Sequence, residues 1–366
     1  MTSLSSIVAE RSLVVVGGAG GVGKTTMSAA IGLAAARHGE GDVLVLTIDP
    51  ARRLATTLGL EIEGGGPVEI PTDGGRGRLF TAMLDPGQAW NDLVIAEAPD
   101  EETADRLLSN AVFRRIADTF VHGNGYAALN WLAEAIESEQ YRLIIVDTPP
   151  SQSALDFFDA PGRVAEFFGS PLLGWLTNTD PASMFGTAAA KTFASIADRL
   201  LGAGFFADVL EFFQLMHGVV PALITRAGDV SARVAGDEAG YVAVTGPGEE
   251  MVERMLAFRT DLSARSIDVD VTVVNGVEPD VYWDERVRDA AERVLVGERS
   301  PFTKGRTRLL SPGADYVLER TEVADAQSAA LAVLDAGSLV TVPRFVHSPV
   351  GLDAIGDLAD RLWSSA

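Results

Sequence analysis

Short apolar runs alternate with stretches of helical spacing along nearly the whole chain. Runs at 13–16, 43–48, 79–85, 143–148, 241–245, 269–274 and 339–342 are the length of buried strands. Between them, Met27, Ala30, Ile31 and Ala34 repeat on one helical face, as do Ala104, Leu107, Leu108 and Ala111, and again Leu129, Leu132, Ala133 and Ile136. The spacing predicts helix over most of 88–139 and 155–235, the latter broken at Pro161, Pro171 and Pro181. Further helices are predicted between the strands at 241–245 and 269–274, near 285–296, over 314–336 and over 352–363, with a frayed start or short helix at 2–10. Glycine clusters at 64–66 and 74–75 bracket a short extended piece. Alternating strand and helix predicts an α/β fold, a doubly wound and mainly parallel sheet. Residues 1–87 and 236–366, with the core strand at 140–154, form the sheet domain in this reading. Residues 88–139 and 155–235 form an inserted helical subdomain.

The first strand runs into Gly18-Ala19-Gly20-Gly21-Val22-Gly23-Lys24-Thr25-Thr26. Gly18 to Thr25 match the phosphate-binding pattern G-x-x-x-x-G-K-[ST]. Glycines let successive backbone N–H groups converge on phosphate oxygens, and Lys24 supplies a cation at the outer phosphates. The Thr25 hydroxyl suits a magnesium ion. The strand before and the helix after supply the context this chemistry needs.

Two carboxylates fall at the carboxyl ends of predicted strands, Asp49 before Pro50 and Asp147 before Thr148. That end of an open parallel sheet is where ligands bind. Asp147 is placed to hold magnesium through water. Asp49 is either a turn residue at the strand end or the carboxylate that orients water for attack on the γ-phosphate, and the placement of Lys24, Asp49 and Asp147 together at strand ends favours the second.

Composition narrows the partners. Apolar content of 47% and charged content of 22% describe an ordinary globular core. A net charge of −22 repels nucleic acid and anionic lipid, so no nucleic-acid partner is expected. With no cysteine there are no disulfides, thiolate zinc sites or thiol nucleophiles. His38, His122, His217 and His347 lack metal-ligand spacing. The first apolar run continues into the phosphate loop instead of a leader cleavage site, and no uninterrupted apolar stretch nears the roughly 18 residues of a spanning helix. A cytoplasmic location is expected, with transient visits to the membrane.

The phosphate loop, Ile48-Asp49-Pro50-Ala51 and Val146-Asp147-Thr148-Pro149-Pro150-Ser151 together resemble the deviant Walker A ATPases, within them the arsenite-pump and tail-anchored-protein targeting group. The resemblance implies a P-loop ATPase that uses ATP and Mg2+. Lys24 and Asp49 would then be catalytic, the latter as the switch I aspartate, and Thr25 and Asp147 would serve the metal. Gly18, Ala19, Gly20, Gly21, Val22, Gly23, Lys24, Thr25 and Thr26 would bind the phosphates. Asn275 corresponds to the family's adenine-reading asparagine, and the loop carrying Pro343 and Phe345 would close over the base. Dimers with nucleotides facing across the interface are implied, along with hydrolysis that moves the helical subdomain.

The chain departs from that family in three places. The lysine that reaches into the partner's site is Ala19, switch II reads Ser151-Gln152-Ser153-Ala154, and the zinc-binding cysteine pair is missing, so no zinc is expected. In these features it most resembles the lysine-lacking member of an actinobacterial paralogue pair. Ten of the 16 phenylalanines lie between Phe157 and Phe213, often adjacent. They either pack that segment's own core or line a groove for a hydrophobic client helix. The reading is an ATPase that couples nucleotide state to movement of a helical subdomain, handling a membrane-protein client or regulating a partner in transport. A lysine-bearing paralogue in a hetero-oligomer would give full activity, a homodimer being the other assembly. The alternative is a nucleotide-binding regulatory subunit with weak hydrolysis of its own in a heteromeric complex.

Overall fold

A computed structural model describes residues 3–48, 53–60, 66–83, 86–120, 125–149, 159, 166, 205–298, 310–334, 338–345 and 349–364. Eight strands form one sheet: β1 (Leu13–Gly18), β2 (Val43–Thr47), β3 (Val68–Ile70), β4 (Leu79–Met83), β5 (Leu143–Asp147), β6 (Ala239–Thr245), β7 (Val271–Val277) and β8 (Leu339–Pro343). Their spatial order is β3-β4-β2-β5-β1-β6-β7-β8. Every neighbouring pair is parallel except β3 with β4. The fold is therefore the expected α/β sheet, mostly parallel. The glycine-bracketed piece became an antiparallel edge strand, since one short strand can pair with β4 without a crossover.

Twelve helices are present among the described residues. They are α1 (Leu4–Glu10), α2 (Lys24–His38), α3 (Arg53–Leu58), α4 (Pro86–Glu97), α5 (Glu101–Ser109), α6 (Ala111–Phe120), α7 (Gly125–Glu137), α8 (Phe205–Val234), α9 (Glu249–Ser263), α10 (Glu285–Glu298), α11 (Ser311–Leu331) and α12 (Leu352–Ser364). A single 3-10 turn spans Asp280–Trp283.

The central strands are apolar throughout because helices cover both faces of the sheet. Alternate residues separate cleanly. Leu13 and Val15 of β1, Leu44 and Leu46 of β2 and Ile144 and Val146 of β5 join a core with α4–α9. Val14, Val16, Val43, Val45, Leu143 and Ile145 join the opposite core with α1, α2 and α12. Burial of α2 extends beyond Met27, Ala30, Ile31 and Ala34: Met27 to Ala36 are all buried. A cover of α1, α3 and α12 over its outer side explains this. Small residues allow the close approach, and a Cβ on Gly32 would lie 2.4 Å from the Val45 side chain.

Several expected boundaries shift. β1 runs on to Gly18 and β6 starts at Ala239, because main-chain pairing extends where the apolar pattern has already stopped. β2 ends at Thr47 and β5 at Asp147. β7 occupies Val271–Val277, displaced toward the C-terminus, and passes through an irregularity between Asn275 and Val277 where Gly276 has φ +90°. α3 lacks a long periodic pattern and was not foreseen. α11 ends at Leu331, short of 336. Pro343 closes β8 as a strand residue, on a strand with one covered edge.

Helices α4–α8 form a layer on one face of the sheet. Pro221 lies inside α8 without ending it, and the Thr225 hydroxyl donates to the Pro221 carbonyl at 3.0 Å. By length and composition, 207–234 of α8 could cross a bilayer. Here its Val219, Leu223, Val230 and Val234 are buried in the shared core. Most of the phenylalanine-rich segment lies outside the described residues. Within it, Phe212 is buried and Phe213 packs edge-on against it with ring centroids 5.0 Å apart, so these two serve the core.

Arg226 ties this layer together. It donates to Glu97 of α4 at 2.8 Å, to Asn130 of α7 at 2.9 Å and to Glu137 of α7 at 2.6 Å. Glu97 is mostly shielded, so deleting its cation leaves a charge poorly solvated. Arg226→Ala should destabilise the protein by about 2–4 kcal/mol, and Arg226→Lys should recover only part of that because it cannot reach three acceptors. Thermal unfolding of the two variants against the parent checks this.

Candidate functional site

The glycine-rich loop leaves β1 in the middle of the sheet, where chain order runs to opposite sides: β5 and β2 lie one way, β6 and β7 the other. This is a topological switch point, and the loop stands at the carboxyl ends of the strands. Gly18 ends β1 with φ +146°, and a Cβ there would sit 2.1 Å from the Val244 carbonyl oxygen, so a side chain is excluded. Gly23 has φ +94°, and its Cβ would meet the Asn275 amide at 2.5 Å. At both positions a positive φ and the closeness of a neighbouring strand leave room only for glycine.

Gly23 is the N-cap of α2 and provides no side-chain acceptor. The first-turn N–H groups are left for an anion, which the helix dipole also favours. Lys24 is largely buried and donates to the Ala19 carbonyl at 2.9 Å, closing the loop on itself. Gly20 and Gly21 are exposed at its rim, whereas Ala19 and Val22 are buried. Thr25 and Thr26 are half-buried on the first turn of α2.

Asp147 is fully buried at the end of β5. Three hydroxyls donate to it: Thr25 at 2.7 Å and Thr47 at 3.0 Å to Oδ2, and Ser28 at 3.2 Å to Oδ1. Burial pushes its carboxyl up to about 6, against the opposing pull of the Thr25 and Thr47 hydroxyls, the Lys24 ammonium and the Ser28 hydroxyl. Thr47 and Ser28 were not among the expected site residues. Parallel register explains the first, since Thr47 pairs with Asp147 across β2 and β5. Spacing could have found the second, because Thr25 and Ser28 are i and i+3 on one helix face. Thr148 completes the strand end, its hydroxyl donating to the Val16 carbonyl at 2.8 Å.

Asn275 was expected just beyond a strand; it lies inside β7, at the irregularity. Its amide nitrogen donates to the Val22 carbonyl at 2.9 Å, which brings it onto the phosphate loop. Asn275 pairs with Val342, and Pro343 with Val277, so Pro343 stands at the same end of the sheet. Phe345 follows it, half-buried against the core shared with α2 and α12. Asp49 and the segment beginning Pro150-Ser151 lie outside the described residues.

The oxygen donor set of Thr25 and Asp147 is what a hard divalent cation takes, and no thiolate or imidazole stands among the described residues beside it. Both Asp147 oxygens already accept hydroxyls, so the carboxylate suits contact through water more than direct ligation.

Residues 11–173 match the family model described as anion-transporting ATPase. ATPase ARSA1 of Chlamydomonas reinhardtii is 31% identical over 176 residues, covering 42% of this chain and 22% of that protein. ATPase GET3 of Podospora anserina is 29% identical over 161 residues, covering 43% and 46% respectively. ATPase get3 of Schizosaccharomyces pombe is 26% identical over 178 residues, covering 48% and 51%. The chain spans about half or less of the length of these curated relatives.

Because burial raises the folded-state pKa of Asp147, the ionised carboxylate costs stability above about pH 6, and that cost fades as pH falls through 6 toward the ordinary carboxylate value. Asp147→Asn should therefore stabilise the nucleotide-free protein at pH 7.5 by up to about 3 kcal/mol, with the gain shrinking toward pH 5. Denaturant melts at the two pH values measure it.

Proposed function

We propose, from the match of residues 11–173 to the anion-transporting ATPase family model, that this chain belongs with the arsenite-pump and tail-anchored-protein targeting group and is a magnesium-dependent ATPase. The observation that carries the reading is the convergence of Lys24, Thr25, Ser28 and Thr47 on Asp147 at the switch point of the sheet. A buried carboxylate with a raised pKa in that setting marks a site arranged for chemistry more than for stability. Gly18 to Thr26 would hold the phosphates, with Lys24 giving up the Ala19 carbonyl for the outer phosphates. Thr25 would hold Mg2+, with Asp147 acting through water. The ion would neutralise charge on the phosphate oxygens. Asp49 would orient the attacking water.

Asn275 supports adenine as the base. One of its two amide N–H groups is engaged by the Val22 carbonyl, which leaves the other N–H and the carbonyl oxygen to pair with a ring nitrogen and the neighbouring 6-amino group of adenine. ATP should bind at least about tenfold more tightly than GTP, and Asn275→Ala should erase most of that preference. Lys24→Ala should abolish ATP binding while leaving the fold intact. Titration with fluorescently labelled ATP and GTP tests the set, and unchanged binding by Lys24→Ala would remove the phosphate-loop assignment.

The proposed coupling runs from nucleotide state to movement of the helical segments 88–139 and 155–235, the work being client handling or regulation of a partner in the cytoplasm. Ala19 favours a second reading: a regulatory subunit with slow hydrolysis of its own. The residue is a buried methyl where the family's cross-interface lysine stands. Loss of a cation aimed at developing phosphate charge costs on the order of 10²–10³ in rate. Purified alone, the protein should bind ATP but turn it over slowly. A lysine-bearing paralogue should raise the rate, and Ala19→Lys should replace that partner in part. Steady-state phosphate release decides between the readings, since fast turnover by the unmodified chain alone removes the need for a partner's lysine.

A further inference from the structure

Beyond the irregularity in β7, four parts of the fold meet at one residue. Glu278 immediately follows β7, and every polar group it has on the main chain is engaged. Its N–H donates to Gln327 Oε1 of α11 at 2.9 Å, and its carbonyl accepts from the Trp283 indole of the 3-10 turn at 2.8 Å. Its side chain is almost completely buried. Oε1 receives Arg320 Nη1 of α11 at 3.0 Å and faces Arg344 Nε at 3.7 Å. Oε2 has no hydrogen-bond partner. One carboxylate therefore stands between two guanidinium groups, one on α11 and one on the chain leaving β8.

The neighbours of this cluster give it consequence. The Arg344 N–H donates to the Val277 carbonyl at 2.8 Å, so the segment after β8 is fastened to the residue before Glu278. Three positions upstream, Asn275 is fastened to Val22 of the phosphate loop. Arg320 is well shielded, while the Arg344 side chain is half exposed. Without the negative charge, the two cations would repel across a poorly solvated gap, and the exposed one would turn to solvent. The position of Pro343-Arg344-Phe345 thus depends on the charge of Glu278. α11 is drawn into the same dependence through Arg320 and Gln327.

We propose that Glu278 is a positioning residue for the nucleotide base: shared between Arg320 and Arg344, it sets the loop at 343–345 against Asn275 without itself touching nucleotide. The proposal rests on the reading that the base lies between Asn275 and that loop. A buried carboxylate that only stabilised the fold would treat all phosphate ligands alike. A positioning residue for the base distinguishes ligands that have a base from those that do not.

The test compares binding of Mg-ATP and of Mg-tripolyphosphate, which offers phosphates and no base, to the full chain. Glu278→Gln and Arg344→Gln are each expected to weaken ATP by about tenfold, the size of one lost charge-assisted contact, and to leave tripolyphosphate unchanged. Arg344→Lys, which keeps the cation, should restore most of the loss. Should Glu278→Gln fail to fold, the two Arg344 variants carry the test, since that side chain is half exposed. Asn275→Ala is the control for the underlying reading. If it weakens ATP selectively while Arg344→Gln weakens neither ligand, or both equally, the positioning role is overturned and the base site stands. If Asn275→Ala is not selective either, the base site falls and the proposal falls with it.

Discussion

A buried carboxylate cannot be left without donors, and the centre of this protein is arranged around that constraint. Asp147 lies at the end of β5 with no access to solvent, so its charge must be met from within. The fold supplies hydroxyls from two directions, Thr47 from the adjacent strand and Thr25 and Ser28 from the helix that follows the phosphate loop. Each requires a particular register. Sliding β2 by one residue would turn Thr47 to the other face of the sheet, and rotating α2 would withdraw both of its donors. The parallel pairing of β1, β2 and β5 and the seating of α2 are thereby linked to one side chain. Burial still wins over the donors, leaving the carboxyl raised to about 6. The protein keeps a group there that costs stability, which is the usual sign of a site kept for its chemistry.

The glycine-rich loop depends on the sheet in the same way. Gly18 and Gly23 each combine a positive φ with no room for a Cβ, which would meet the Val244 carbonyl and the Asn275 amide. β6 and β7 thus form the outer wall of the proposed phosphate site, and β5 forms the inner one. A loop clamped on both sides is preorganised, so little reorganisation remains when an anion arrives. On the far side of β7 the chain continues through Glu278 into α11, placing a helix distant in sequence in mechanical contact with the same end of the sheet.

Ion pairs such as Arg106 with Glu211 and Arg254 with Glu250 are exposed and worth little individually. The shielded pairs are different: Arg226 with Glu97 binds the helical layer, and Arg320 with Glu278 binds α11 to the sheet. Arg226 satisfies acceptors on two helices at once, whereas Arg320 meets one Glu278 oxygen, and each contact joins separate elements with a directional control that a hydrophobic contact lacks.

The local pattern of the sequence determined what local physics can determine. Apolar runs of strand length between helices imply a mainly parallel sheet, and glycine spacing before Lys24 and Thr25 implies a phosphate loop, because backbone conformation there depends on adjacent residues. Asp147 at the end of its strand was legible for the same reason. The partners that give it its properties were not, for Thr47 lies 100 positions away and only strand register brings them together. Asn275 was expected beyond its strand, since nothing in the local sequence reveals that pairing with β8 continues through a bulge. Nothing in the local sequence singles out Glu278, Gln327 or Arg320, and Arg344 enters only as a member of the loop at 342–345. Only the tertiary structure, by folding α11 and the chain after β8 onto the end of β7, buries that carboxylate and makes the four a unit.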